Sequence, residues 1–315
     1  MSIGIRPTND FAFKKIFGTP ENKFILISLL NAILRLAKPI VDLTIQNPYN
    51  LQDFKDDKLS ILDIKAVDQD DAIYDIEMQL SIFSGLVKRI VFYGCEVYAG
   101  QLKAGDDYSE LKPVYSICLL EKILWNDSTK VHHAFRLTDV LSGRTLRETL
   151  EIHTLELGWY NLTEADLPTA GTLERWLFWL LHADEYEPET LMKLLPEQAF
   201  QIATQTLNRI SEITEDKQMY DAREKAIRDR QWAINASRSE GKIEGKIEGK
   251  IEGKIEGKIE GKIEGKIEGE MRLIRSLEEI LNQPASGESE LAAKSLEELQ
   301  AIAAKLQSKI RSRAI

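Results

Sequence analysis

Residues 72–80, AIYDIEMQL, alternate between apolar and polar almost without a slip. Ala72, Tyr74, Ile76, Met78 and Leu80 share one parity, and Ile73, Asp75, Glu77 and Gln79 share the other. Side chains on a strand point to opposite faces in turn, so this pattern predicts a strand with one core face and one acidic face. KLSILDIKAV at 58–67 reads as a second strand, and DQDD between the two suits a tight connection. In an antiparallel hairpin centred near residue 70, Leu62 meets Met78, Ile64 meets Ile76 and Ala66 meets Tyr74, which makes a clean core surface. The other face sets Asp63 opposite Glu77, Lys65 opposite Asp75 and Ile61 opposite Gln79. Like charges directly opposed in a sheet are unfavourable, so Asp63 against Glu77 calls for a cause. A divalent cation between them is one reading, because hard cations prefer carboxylate oxygens. A solvated strand face screened by Lys65 is the other.

The rest of the composition narrows the class. A chain of 315 residues with 43% hydrophobic residues can bury one large core or two small ones. Its 51 acids outnumber its 41 bases, for a net charge of −10, which argues against a protein that coats nucleic acid indiscriminately. Charge is unevenly placed. Residues 53–77 hold nine acids against Lys55, Lys58 and Lys65. Residues 1–40 hold Arg6, Lys14, Lys15, Lys23, Arg35 and Lys38 against Asp10 and Glu21. Cys95 and Cys118 form no CxxC pair, so a disulfide framework and a zinc knuckle are both unsupported. The start, MSIGIRPTND, has no apolar core of signal-peptide length, and FILISLLNAILRLA is broken by Asn31 and Arg35. These features predict a soluble, cytoplasmic protein with no membrane segment. There is no P-loop and no dinucleotide fingerprint.

Along the chain, Thr8 or Asn9 can cap a helix DFAFKKIF that Gly18 ends, and Thr19-Pro20 can open a second, mostly buried helix. After the hairpin, SGLVKRIVFYGCEVYAGQLKAG predicts a helix with an apolar stripe through Leu86, Ile90, Tyr93 and Val97. PVYSICLLE (113–121), HHAFRLTDV and TLRETLEIHTLEL read as further strands. His132 and His133 point to opposite faces and are no ligand pair, and His153 and His182 lack spaced partners. Trp176 and Trp179, three apart, read as core. The expected divisions are an α/β core at 1–160, a helical region at 161–240, a repeat spacer at 241–270 and a small helical tail at 271–315.

The repeat is GKIE, strictly periodic from 241 to 268. On a helix its Ile stripe drifts by about 40° per repeat. Lys lies four from Lys and Glu four from Glu, so the neighbouring pairs repel by a few tenths of a kcal/mol each. Each Gly costs roughly 1 kcal/mol against Ala. An isolated helix is therefore marginal, and a helical spacer and a disordered one both stay open.

The residues of the hairpin also carry a resemblance. DIKA, followed by IEMQ with Glu77 fourteen residues after Asp63, resembles the PD-(D/E)XK nuclease superfamily signature. TNDFAFKKIFG, LDIKAVDQDDAIYDIEMQ, KRIVFYGCEVYAGQLKAGDDYSEL, PVYSICLLE, EIHTLEL and MYDAREKAIRDRQWAINASRSEG, in that order, look like the recombination-promoting nuclease/transposase family. The resemblance spans roughly residues 5–240. It implies a restriction-endonuclease-like α/β fold, a mixed sheet flanked by helices, with a helical C-terminal region. It implies a metal-dependent DNA endonuclease acting in recombination or transposition, with Mg²⁺ or Mn²⁺ as cofactor and DNA as partner. Carried over, Asp63 and Glu77 are the metal carboxylates, with the main-chain carbonyl of Met78 a third ligand and Asp10 an added acid near the metal. Gln79 stands where the usual Lys would be, and a neutral amide cannot replace an ammonium electrostatically. Lys65, two residues from Asp63 on the same face, can supply that charge. Lys14, Lys15, Lys88 and Arg89 can hold backbone phosphates. The plain alternatives are a surface ion pair for Asp10 with Lys14 and a solvated helix face for Lys88 and Arg89. Double-strand cleavage would favour two active sites and hence a homodimer. The competing reading is a catalytically inactive module that keeps the nuclease fold to bind DNA or protein, with the repeat tail serving assembly.

Overall fold

The alternating segment folds as a strand and takes an inner place in one six-stranded mixed sheet. The structure is a computed structural model that describes residues 1–47, 64–127 and 129–313. The strands are β1 (Leu43–Ile45), β2 (Ile64–Asp68), β3 (Ile73–Gln79), β4 (Val114–Leu120), β5 (His132–Arg136) and β6 (Leu150–Glu156), in the order β1-β2-β3-β4-β6-β5. β2 runs antiparallel to β1 and β3, β4 runs parallel to β3 and β6, and β5 closes the far edge antiparallel to β6. The helices flanking this sheet complete the restriction-endonuclease-like α/β architecture that the family resemblance implied. The short strand β1 has too little alternation in its three residues to be read from sequence.

The hairpin takes the expected register, with Ile64 opposite Ile76, Lys65 opposite Asp75 and Ala66 opposite Tyr74. Ile64, Ala66, Tyr74 and Ile76 are all fully buried. Leu62 and Asp63 lie outside the described residues.

The chain forms two compact units, Met1–Arg228 and Asp229–Ile315. In the first, α1 (Asp10–Phe17) and α2 (Lys23–Leu34) join α4 (Thr172–His182), α5 (Pro188–Leu194) and α6 (Gln198–Glu212) in the main core. Asn9 caps α1 by accepting hydrogen bonds from the N–H groups of Phe11 and Ala12, one of the two caps the sequence offered. α2 begins later than the Thr19-Pro20 start expected from the sequence, because Pro20–Asn22 forms a separate 3-10 turn. Trp176 and Trp179 are fully buried core residues, and each indole N–H is satisfied, by Ser28 Oγ at 3.2 Å and Thr204 Oγ1 at 3.0 Å. A long helix, α7 (Thr214–Ile280), runs through the repeat, whose residues 241–266 are all exposed. In the second unit, Ile274, Leu277 and Leu281 pack with Leu291 of α8 (Glu288–Ala292) and with Leu299, Ala303 and Leu306 of α9 (Leu296–Arg313). No described helix is long and apolar enough to cross a membrane.

The opposite face of the sheet is covered by α3 (Leu86–Ala99), which links β3 to β4. Leu86 and Ile90 pack with Val114, Cys118, Leu120, Leu150 and Ile152. The buried stripe runs through Leu86, Ile90 and Gly94, whereas Tyr93 and Val97 sit at its margin, half-buried. Gly94 explains how closely the helix approaches. A Cβ there would lie 3.2 Å from Leu150 Cδ1 and 3.5 Å from Ser116 Cβ. Gly94→Val is therefore expected to push α3 off the sheet and lower stability by about 1–3 kcal/mol, read as a drop in the urea midpoint. An unchanged midpoint would mean the contact has slack.

Candidate active site

The polar face of β3 lies beside α3, which packs over β4 and β6 and sends Arg89 back to Glu77. Asp75 is buried, and its Oδ1 finds no hydrogen-bond partner. Burial pushes its carboxyl up to about 6; Lys65, opposite it on β2, pulls the other way, and Glu77 adds to the rise. Glu77, two residues on, is raised by burial against the opposing charge of Arg89.

Arg89 is the centre of the arrangement. It lies one helical turn into α3, and its Nη2 donates to Glu77 Oε1 at 2.7 Å while its Nη1 donates to Gln79 Oε1 at 3.2 Å. Its guanidinium stacks near the rings of Phe83 and Tyr93, at 5.9 and 5.4 Å from the centroids. Gln79 Nε2 in turn donates to the Ser81 carbonyl at 2.8 Å, so the amide is fixed at both ends. Glu77 Oε2 accepts no hydrogen bond among the described residues.

The other expected site residues divide. Lys65 is exposed and sits beside Asp75 as the hairpin register requires. Lys88 is exposed on α3. Asp63 lies outside the described residues. Met78, half-buried, pairs with Leu119 of β4. Asp10 is held by Arg223 of α7, with Arg223 Nη2 to Asp10 Oδ2 at 2.5 Å and Nε at 3.1 Å. That pair takes the place of the surface pair with Lys14 that the helical spacing suggested. Lys14 is only 4% exposed and Lys15 is bound to Asp216, so neither stands where a phosphate contact needs an open ammonium. The cause is packing: α1 lies against α6 and the first turns of α7.

The same segment reaches the site by a chain of polar contacts. The Gln79 carbonyl accepts from the Glu121 N–H at 3.1 Å, and the Glu121 carboxylate lies 3.7 Å from Arg6. Arg6 forms a two-point pair with Glu224, which also accepts from Asn9 Nδ2 at 2.9 Å.

Two residues take roles that the sequence does not show. The alternation puts Asp75 on the polar face, but no spacing rule shows that it is buried. Arg89, expected as a phosphate contact, instead bonds Glu77 across a turn whose geometry no local pattern sets. Both become readable only once α3 is laid back across the sheet.

A hard divalent cation suits this donor set. One carboxylate oxygen of Asp75 is buried without a partner, Glu77 keeps one oxygen unengaged, and both side chains project from one face of β3. Among the described residues no group of three or more His, Cys, Asp or Glu side chains is placed to hold a metal. A site for Mg²⁺ asks for fewer, because one or two carboxylates commonly suffice with water and substrate oxygens.

The Asp10–Arg223 pair is the anchor of the N-terminal helix. Arg223→Ala is expected to cost about 2–3 kcal/mol, because it leaves a partly buried carboxylate without its charged partner. Thermal and urea unfolding of the purified variant would check this, and an unmoved transition would remove the anchor role.

The family model described as PD-(D/E)XK nuclease family transposase matches residues 7–237, well over half of the chain. Comparison with curated proteins and with solved structures gives no significant match.

Proposed function

We propose, from the premise that the chain belongs to the PD-(D/E)XK nuclease family transposases, that it is a metal-dependent DNA endonuclease acting in recombination or transposition. The observation that carries this reading is the buried acidic face of β3, with Asp75 and Glu77 both pushed up by burial and a guanidinium set beside them. A face of that kind is costly to keep in a purely structural sheet.

Glu77 and Asp63, with the main-chain carbonyl of Met78, would hold Mg²⁺ or Mn²⁺, and Asp75 adds a buried negative charge beside them. When bound, that ion supplies the Lewis acidity that phosphodiester hydrolysis needs. The chain's own residues do the rest. Arg89 offers rigid donors to the charge that builds on the phosphate, a task a neutral Gln79 cannot perform. Gln79 is a positioning residue: its Oε1 holds Nη1 of Arg89 while Ser81 holds its amide. Lys65 adds positive charge opposite Asp75. Lys88, exposed next to Arg89, contacts backbone phosphate, and affinity for DNA falls steeply as salt rises. A homodimer would bring two such sites to the two strands.

One observation favours a second reading. Arg89 already neutralises Glu77, so the face can persist without a metal, as a binding module of nuclease ancestry would require. Plasmid cleavage separates the two. Purified protein is expected to nick or linearise plasmid with Mg²⁺ or Mn²⁺, to stop with EDTA, and to fall at least 100-fold in Asp63→Ala and Glu77→Ala. Equal and complete inactivity of wild type and both variants would transfer the protein to the binding reading.

The source of positive charge is tested in the same assay. Arg89→Ala is expected to lose about 100-fold or more, the usual cost of a transition-state donor, and Lys65→Ala about tenfold. The reverse order would give that role to Lys65.

A further inference from the structure

The face of the sheet away from Glu77 carries a second constellation. In the β4–β6 and β5–β6 registers, Glu77 lines up with Cys118, Thr154 and His133, whereas His132, Glu151 and His153 point to the other side. There, β5, β6, α2 and α4 line an open cavity of about 610 Å³. Its wall carries Arg35, Lys130, His132, His153 and Trp159, with one acid, Glu174, among the described residues.

Hydrogen-bond logic fixes the protons in this cavity. His153 Nε2 lies 3.3 Å from Glu151 Oε2, and an ionised carboxylate can only accept, so Nε2 carries the proton. His153 Nδ1 is then an acceptor, and it lies 2.9 Å from His132 Nε2, which must donate. No spacing along the chain pairs His153; the antiparallel β5–β6 pairing supplies a partner diagonally, since His153 faces Ala134. His132 Nδ1 is left as a lone pair with no partner among the described residues. Burial, reinforced by the charge of Arg35, holds the His132 imidazole down to about 4, so it is neutral near pH 7.

Arg35 is the complement. It ends α2 in a left-handed conformation, φ 49°, which a non-glycine residue adopts at a cost. It has no carboxylate partner among the described residues, whereas Arg136 is paired with Glu151 at 2.6 Å. The indole N–H of Trp159 is buried with no hydrogen-bond partner. The cavity thus offers a cationic fork, a neutral imidazole acceptor and apolar walls from Leu34, Val131 and Leu177. Inorganic phosphate would engage only the first of these. A ligand that engages all three has an anionic group, a flat ring and an N–H donor, and its size suits a cavity in the usual small-molecule range of about 300–1,000 Å³.

We propose that this cavity binds a mononucleotide with an amino-substituted base, its phosphate on Arg35 and its exocyclic amine on His132 Nδ1. The site is separate from the β3 face and does not depend on the nuclease reading.

The test is calorimetric titration of the full-length protein with dAMP, the 5′-monophosphate of unsubstituted purine deoxyriboside, whose base has no N–H, and inorganic phosphate, in EDTA. One-to-one binding of dAMP, at about 1 mM or tighter, is expected, with the unsubstituted purine nucleotide and phosphate at least tenfold weaker. Arg35→Asn keeps a residue that tolerates the left-handed conformation and is expected to weaken dAMP at least tenfold. His132→Phe keeps the ring volume, removes the acceptor and is expected to do the same. Glu77→Gln, on the other face, is expected to leave binding unchanged. The proposal fails if dAMP does not bind, if phosphate binds as well as dAMP, if both cavity variants bind like wild type, or if Glu77→Gln abolishes binding.

Discussion

The antiparallel pairing of β2 with β3 decides where every side chain of the acidic face can lie. A slip of one residue would turn Tyr74 and Ile76 to the α3 side and drive Asp75 and Glu77 into the main core. The turn guards against that slip. Asp68 Oδ1 accepts from the N–H groups of Asp70 and Ala72, both at 2.9 Å, and its Oδ2 accepts from the buried Tyr74 hydroxyl at 2.7 Å. Asp71 takes the positive φ of 65° that the tight connection needs. One carboxylate therefore ties the turn to the first core residue of β3. On the other side, β4 runs parallel to β3, and a parallel pair requires a crossover connection. α3 is that crossover, so the same topology that completes the sheet carries Arg89 back over Glu77.

That return solves an electrostatic problem. Two carboxylates on one strand face, both removed from water, repel and lose hydration. Lys65 comes from the neighbouring strand and Arg89 from the covering helix, so each acid has a cation reaching it from a different element. Arg89 does more than neutralise. Its planar fork touches Glu77 and Gln79 together and lies within 6 Å of two aromatic rings, which fixes its direction in a way a lysine could not. The end of β3 is braced separately. Gln79 meets Glu121, Glu121 meets Arg6, and Arg6 and Asp10 are held by Glu224 and Arg223. The start of the chain is thereby a brace of the sheet's end, with Arg6, Asp10 and Lys15 each paired to a residue of α7.

Period-two and helical patterns made the hairpin, α1, α3 and the parallel strands legible, because these elements have one strong face each. The register of Ile64, Lys65 and Ala66 against β3 followed from the same parity. Contacts between elements distant in sequence did not follow. Asp10 with Arg223, Lys15 with Asp216 and His132 with His153 depend on how α7 and β5 are laid down, and no local spacing encodes that. The role of Gln79 lies between the two cases. Its place on the strand was evident, but its meaning depended on a guanidinium ten residues away. The cavity behind β5 was invisible for the further reason that its lining comes from α2, β5, β6 and α4, four elements spread over well over a hundred residues.

The repeat shows how a weak local preference can be settled by its ends. Glycine every fourth residue and like charges at helical spacing make an isolated helix marginal, chiefly because nucleation is costly. Here nucleation is already met on both sides. Asp216, Tyr220 and Arg223 are buried before the repeat, and Ile274 and Leu277 after it. Extending a formed helix adds one hydrogen bond per residue fixed, so the GKIE segment needs only to avoid opposing it. A Cβ at Gly241 to Gly269 would meet no atom within 4 Å, and the isoleucines from Ile243 to Ile263 stay about half exposed. Each repeat therefore adds about 6 Å of helix and no buried contact. Its number is free of the packing constraints that hold both compact units, and selection on those cores does not fix it.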